Sequence, residues 1–413
     1  MTIAIINAHV EPVSGEPFDG SVLISEGRIA AAGTDIDVPE GAEVVDAGGQ
    51  WLVPGLVEAH GHVGIWEESH GWAGEDTNEG TDHNGARFRA IDGIHPTDEG
   101  FRDALSGGVT TVVVKPGSAS PIGGQTVAVK TWGRIVDEMV LKNPVSMKSA
   151  LGENPKRFYG ADQKKFPKTR LGVASAIREA LTAARNYGAR KAEAIRDGKA
   201  FEVDLNNEAL LLVLDEGMPW CQHCHRVDDI ATAIRLQQEF GYNLIINHGT
   251  EAHLIADVLA ERNLPVVIGP LITARTKQEL ANRSISNPGR LVNAGVKIAI
   301  TTDAPVVQIN LLNTQASIAM NEGLDRESAL KAITLWPAEI MGLADRVGSI
   351  EVGKDADVVL WSGDPMVTTS RATSVWIEGR RVYHYDESAS EGVTLDPYST
   401  LGTTVAAPGR ERR

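Results

Sequence analysis

Between residues 54 and 345 the chain alternates short apolar runs with longer segments of helical hydrophobic spacing. This rhythm limits the fold more than any other feature. An apolar run followed by an amphipathic stretch signals a βα unit, and repeated units build a parallel sheet covered by helices. Eight runs read as strands: Val57–His62, Thr110–Val114, Gln125–Thr131, Met147–Leu151, Pro219–His225, Leu244–His248, Val266–Gly269 and Lys297–Thr301. Between many of them, Thr97–Ser106, Val173–Asp197, Val227–Phe240, Glu251–Arg262 and Gln278–Asn293 carry apolar residues at helical spacing. The pattern predicts an α/β protein built on a (β/α)8 TIM barrel. A doubly wound sheet fits less well, because no glycine-rich dinucleotide fingerprint follows the first strand.

The two chain ends read differently. Residues 1–53 form short strand-like runs, Ile3–Ile6, Ser21–Ile24, Arg28–Ala32 and Glu43–Asp46, divided by glycines. That piece is too short for a core of its own. Residues 346–395 offer partners at Gly348–Ile350, Ala356–Trp361, Ser374–Ile377 and Arg381–Tyr385. We expect the ends to pair into one small β-sandwich, with residues 396–413 as a tail. Its last part, Leu401–Arg413, reads as an arm.

A formal net charge of -16 argues against nucleic acid, whose phosphates need a basic surface. The two cysteines, Cys221 and Cys224, give no disulfide framework and suit a reducing cytoplasm. No signal-peptide pattern opens the chain and no apolar run reaches the length of a membrane span, so a cytoplasmic protein is expected.

Polar groups collect at strand ends. His60 and His62, spaced i, i+2, project to one side of a strand. Glu153 lies just past the fourth strand, His223 and His225 end the fifth, His248 ends the sixth and Asp303 follows the eighth. Four histidines and an aspartate, with one further carboxylate, could bind one or two divalent ions. Zinc suits such donors, as do iron and manganese. Strand alternation sets Met147, Ser149, Leu151 and Glu153 on one face and Lys148 on the other. The same rule points Cys221 and Cys224 to opposite faces, as buried thiols. Two long insertions, Gly64–Pro96 and Asn154–Thr169, follow strand ends and are expected to roof a pocket. Gln125, Arg157 and Tyr159 are candidate substrate contacts.

The segments VPGLVEAHGH, HCHR, INHG, TTDAP and VGSIEVGKDADVVLWSGDP, the last preceded by ALKAITLWPAEIMGL, resemble the amidohydrolase superfamily of metal-dependent hydrolases. The imidazolonepropionase-like members are the nearest in pattern. The resemblance implies metal ligands at His60, His62, His223, His248 and Asp303, with Asp303 also general base for a metal-activated water. His225 then becomes a substrate contact. Many binuclear members carry a carbamylated lysine on the fourth strand. Here Glu153 is expected as the ligand, with Lys115, Lys130 and Lys148 as weaker carbamylation candidates. The implied activity is cleavage of a C–N bond in a small amide or cyclic amide by a homo-oligomer. A prolidase-like dipeptidase, with Arg157 or Arg226 binding the substrate carboxylate, is the alternative enzyme. A deaminase is disfavoured because no glutamate follows His223. An inactive barrel scaffold is the non-enzymatic alternative.

Overall fold

The computed structural model describes residues 2–399 and 404–406. Five strands precede the central region: β1 (Thr2–Val10), β2 (Phe18–Ser25), β3 (Arg28–Gly33), β4 (Glu43–Asp46) and β5 (Trp51–Pro54). The central strands are β6 (Leu56–Gly61), β7 (Val109–Val114), β8 (Ile122–Gln125), β9 (Val127–Lys130), β10 (Val140–Lys142), β11 (Met147–Ala150), β12 (Trp220–Cys224), β13 (Leu244–His248), β14 (Val266–Ile268) and β15 (Ile298–Ile300). β16 (Val358–Trp361), β17 (Ala372–Ile377), β18 (Arg380–Asp386), β19 (Glu391–Leu395) and β20 (Thr404–Ala406) follow.

The two chain ends do pair. They form one sheet ordered β20-β19-β18-β17-β16-β5-β1-β2-β3, with β4 alongside β1. The join is antiparallel, Trp51 opposite Trp361 and Pro54 opposite Val358. Ile5, Val22, Leu52, Val358 and Trp376 form a buried cluster on these strands. The expected strand at Gly348–Ile350 is irregular chain instead, anchored by the Ile350 N–H on the Pro12 carbonyl. Most of the expected arm Leu401–Arg413 lies outside the described residues.

Centrally, β6 pairs with β7 in parallel, and β11 to β15 form a parallel run. The third predicted strand departs from this order. It splits into β8 and β9, and these run antiparallel to β11 and β7 respectively. The cause is the connections. A parallel crossover needs a dozen or more residues, usually helical. The chain from Val114 to Ile122 is too short and contains no helix. β8 and β9 thereby link a four-stranded and a six-stranded sheet through Thr126. At the opposite edges, the Thr301 hydroxyl donates to the His60 carbonyl at 2.7 Å.

Val57, Ala59, Val113, Ala128, Cys221, Ile245, Val267 and Ala299 form an inner apolar cluster, stopped by Ala338, Met341, Leu343 and Val347. The predicted helices appear at Glu99–Ser106, Arg170–Arg196 and Val227–Phe240. The segment expected as one helix over Gln278–Asn293 is instead a short turn, Gln278–Leu280, and a helix, Asn287–Asn293. Pro288 explains the break: it lacks an N–H and suits only a helix's first turn. The helix Leu205–Leu214, capped by the Asp204 side chain accepting from the Asn207 N–H, was not anticipated.

Lys130 ties the terminal sheet to the central strands. Its buried ammonium donates to Asp355 at 2.9 Å and Asp357 at 2.6 Å. This commits it to packing, not to carbamylation. Removing one partner of a buried ion pair strands the others. We therefore expect Lys130→Met to lower stability by about 3–5 kcal/mol in urea unfolding.

Candidate active site

The site is assembled around Glu58. Its carboxylate is fully buried and accepts from the His60 N–H at 3.0 Å, the Thr302 N–H at 2.8 Å and the Thr302 hydroxyl at 2.7 Å. Burial raises its pKa against the pull of these bonds. One side chain thus fixes the first and last central strands to each other. His60 lies on β6 and His62 directly follows it, and Asp303 follows β15.

Asp303 Oδ1 sits 3.1 Å from His60 Nε2 and 3.2 Å from His62 Nε2. Asp303 and His248 both have left-handed backbones, with φ of 55° and 70°. Such strain in non-glycine residues persists where the surroundings over-determine it, often at functional sites. Most rings are held from behind. His62 Nδ1 lies 2.6 Å from the Lys115 carbonyl, and His248 Nδ1 lies 2.8 Å from the Gly269 carbonyl. His223 Nδ1 meets the Ser118 hydroxyl at 2.9 Å, and His225 Nδ1 meets the Thr250 hydroxyl at 2.8 Å. This leaves the Nε2 atoms to face inward. His223 and His248 stand 4.5 Å apart by ring centroid, and His60 and His248 4.9 Å. His223 Nε2, His225 Nε2 and Asp303 Oδ1 are buried without hydrogen-bond partners among the described residues. Unsatisfied nitrogen and carboxylate donors converging in this way fit a divalent cation. His60, His62 and Asp303 form one such group, and His223, His225 and Glu279 another.

The fourth strand requires a correction. Lys148 does not face away. Its Nζ lies 3.3 Å from His60 Nε2, and its residue is fully buried. In the register of β11 with β12, Lys148 stands opposite Cys221 and Ala150 opposite His223. Lys148 therefore shares the inner face with Cys221, while Ser149 turns outward to the Pro121 carbonyl. Glu153 lies beyond the strand, on a helical turn Glu153–Pro155. Alternation ends before it, because the chain bends at Gly152 with φ +85°. A Cβ there would come 2.6 Å from Glu279 Oε1. Glu153 joins neither ligand group; its N–H donates to Glu279 at 2.6 Å. Lys115 is also buried inside, 3.4 Å from Cys221 Sγ. Cys224 points to the other face, as alternation predicts, into the outer core.

A cleft of about 400 Å³ opens over these groups. Trp66, Thr77 and Asn78 from the first insertion line it, as do Asn154, Arg157 and Phe158 from the second. His225 lines it too. Gln125 and Tyr159 do not. Gln125 donates to the Ala86 carbonyl, and Tyr159 clamps the two insertions by bonding the Asp82 carbonyl at 2.7 Å and the Ser120 hydroxyl at 2.9 Å. A third wall, from Gly269 to Leu280, was not anticipated. It brings Lys277 to the cleft and Glu279 behind the histidines. The only sequence signal was an unexplained gap between the seventh strand and the next helix.

Burial is the largest influence on the histidines. It holds His60, His223 and His225 well below their ordinary pKa and brings His248 to about 4. For Asp303 burial acts in the opposite direction, but His248, His60 and His62 outweigh it and hold the carboxyl well below its usual range. Burial brings Lys148 to about 7. The rings are thus neutral and the carboxylate charged, the states a cation requires. A histidine with a depressed folded pKa takes up a proton more readily when unfolded, so its stabilising contribution is lost as pH falls. For protein kept in chelator we expect stability to drop from about pH 6.5, the unfolded histidine value, to about pH 4. A chemical-denaturation series across that range, with His248→Asn giving a shallower slope, would check this.

The sequence profile of the Amidohydrolase family matches residues 51–382. The amidohydrolase tasK of Hapsidospora irregularis is 30% identical over 389 residues, spanning 87% of this chain but 39% of that protein. The chain thus covers about two-fifths of that relative's length. The imidazolonepropionase of Thermoplasma acidophilum is 25% identical over 359 residues, covering 83% of this chain and 82% of the other. Among solved structures, an amidohydrolase from Thermotoga maritima MSB8 superposes with a TM-score of 0.90 at 46% identity, covering 92% of this chain and 100% of that one. The chain belongs to the amidohydrolase family, whose members are generally metal-dependent, and is a hydrolase acting on C–N bonds.

Proposed function

We propose that this protein is a metal-dependent amidohydrolase cleaving a small amide or cyclic amide. The observation that carries the reading is Asp303 Oδ1, set between His60 Nε2 and His62 Nε2 at the floor of a cleft. His60, His62 and Asp303 would hold one divalent ion, and His223 and His248 a second. Zinc suits these donors, with iron and manganese also compatible. A bound ion supplies Lewis-acid polarisation of a carbonyl and activation of water near neutral pH. Asp303 is the base in this scheme: it takes the proton of the attacking water and delivers it to the leaving nitrogen. Glu58 orients it through Thr302, and the inward Nε2 atoms are the ones that would hold the ions. His225 and Arg157 face the substrate. The same reading takes the two central sheets as one eight-position barrel, supported by the Thr301–His60 bond between their edges, and the terminal sheet as the accessory sandwich.

Lys148 replaces Glu153 as the fourth-strand ligand in this proposal. The buried amine beside His60 can add carbon dioxide and lose a proton, giving a carbamate whose oxygens would serve as ligands. Elemental analysis of protein purified without chelator tests the set. We expect about two ions per chain, lost in part in Lys148→Ala and retained in Glu153→Ala. Intact mass in bicarbonate should gain one carbon dioxide only where Lys148 is present. Two ions in Lys148→Ala would remove the assignment. Asp303→Asn should lower kcat by roughly 10²–10⁴, measured on any amide found in a screen. No hydrolysis in a broad amide and dipeptide screen of the metal-loaded protein would overturn the functional reading.

A dipeptidase remains the second reading, supported by Arg157 in the cleft wall. Arg226 no longer supports it, since its guanidinium is tied to Asp228 at 2.8 and 2.9 Å. The scaffold reading is disfavoured by the converging, unsatisfied donors.

A further inference from the structure

The two insertions that roof the cleft approach each other closely at Gly80. The Gln163 side chain donates to the Gly80 carbonyl at 3.1 Å, and Lys165 Nζ donates to the Gly80 and Thr81 carbonyls at 3.2 and 3.4 Å. Tyr159 adds its bond to the Asp82 carbonyl. These donors hold Gly80 against the ring of Phe158. A Cβ built on Gly80 would lie 2.4 Å from Phe158 Cζ and 2.8 Å from its Cε1. Non-bonded carbon atoms settle about 3.5–4.0 Å apart. Backbone conformation does not call for glycine here, because the φ of Gly80 is not in the left-handed region. What position 80 excludes is volume beside Phe158.

Phe158 lines the cleft. It stands on a π-helical turn, Lys156–Asp162, a rare geometry that recurs at functional sites. Away from the cleft its ring is closed in. Tyr159 packs edge-to-face on it with centroids 5.1 Å apart, is itself fully buried, and is anchored by Asp82 and Ser120. Gln163 Nε2 stands 3.1 Å from the place an added Cβ would take. A side chain at position 80 would therefore press the ring toward the cleft. That cleft leaves apolar surface uncovered: Trp66 is 39% exposed and Val306 45%, and Leu280 and Pro270 line it too. Apolar area facing water inside a cavity of about 400 Å³ is area that a small ligand can bury.

We infer that Gly80 is a positioning residue that sets specificity. By leaving Phe158 withdrawn, it keeps room in the cleft for an uncharged, ring-sized apolar group attached to the amide. This rests on the amidohydrolase reading for the reaction, but not for the shape of the pocket. Gly80 acts through the Phe158 ring, so its effect grows with the bulk of the bound group and vanishes when the ring is removed.

The test is calorimetric titration of the metal-loaded protein with acetohydroxamate, benzohydroxamate and 3-phenylpropionohydroxamate. The hydroxamate anchors each probe at the metal site, and only the apolar part differs. We expect at least one phenyl probe to bind about tenfold tighter than acetohydroxamate, or better. Gly80→Ala should cut that ratio to about threefold or less, with acetohydroxamate affinity and metal content unchanged. Phe158→Ala should keep the phenyl preference, and adding Gly80→Ala to it should change nothing. No phenyl preference, no binding of any probe, a ratio untouched by Gly80→Ala, or a preference lost in Phe158→Ala would each overturn the inference. So would a Gly80→Ala protein that unfolds or loses all three probes alike, since Gly80 would then be a structural residue. A protein that shows the expected pattern but hydrolyses no amide would sustain the role of Gly80 and remove the proposed reaction. One that hydrolyses amides with no phenyl preference would do the reverse.

Discussion

The carboxylate of Glu58 is the interaction on which the site depends. It is buried without an ion pair among the described residues, and burial alone would make it costly. Three donors offset that cost: the N–H of His60 and both the N–H and hydroxyl of Thr302. Hydrogen bonds to charged groups contribute about 1.5–3 kcal/mol each, and losing one such partner leaves a buried acceptor exposed to the full penalty. The bonds therefore act as a clamp. They bring the two ends of the central strand set together and set the neighbouring residues, His60 and Asp303, in contact.

The other histidines of the cleft extend this arrangement by a common device. An imidazole offers two nitrogens, and in four of the five rings the outer one is bound by a carbonyl or hydroxyl. That fixes the ring plane, and in His223 and His225 the inner nitrogen is left unsatisfied. Burial keeps His60, His223, His225 and His248 neutral, while the neighbouring histidines hold Asp303 ionised against its own burial. Around these groups, the roof comes from three loops with different tasks. Tyr159 binds two insertions to each other, while the Gly269–Leu280 wall brings Lys277 to the cleft.

Much of this was legible in the sequence. His60 and His62, the HCHR segment, His248 and Asp303 each sit at a strand end, and strand ends are readable from hydrophobic runs. The pairing of the chain ends was legible because neither had enough apolar residues to close its own core. The reversal of the third strand was partly legible, since no helical segment separates it from its neighbours. The break at Pro288 was legible and missed. Gln125 and Tyr159 look like site residues in a list, but their polar atoms are consumed by backbone carbonyls brought near by folding.

What the sequence by itself determined was the set of elements and the chemistry of the candidate site residues, because both follow from local periodicity and residue type. Only the tertiary structure decided which residue of the fourth strand enters the site. Counting along one strand sets alternation but not its phase, and a shift of one residue exchanges the faces. The phase of β11 is set by its hydrogen bonds to β12, which place Lys148 opposite Cys221. That contact joins residues far apart in the chain, so Lys148 rather than Glu153 stands beside His60.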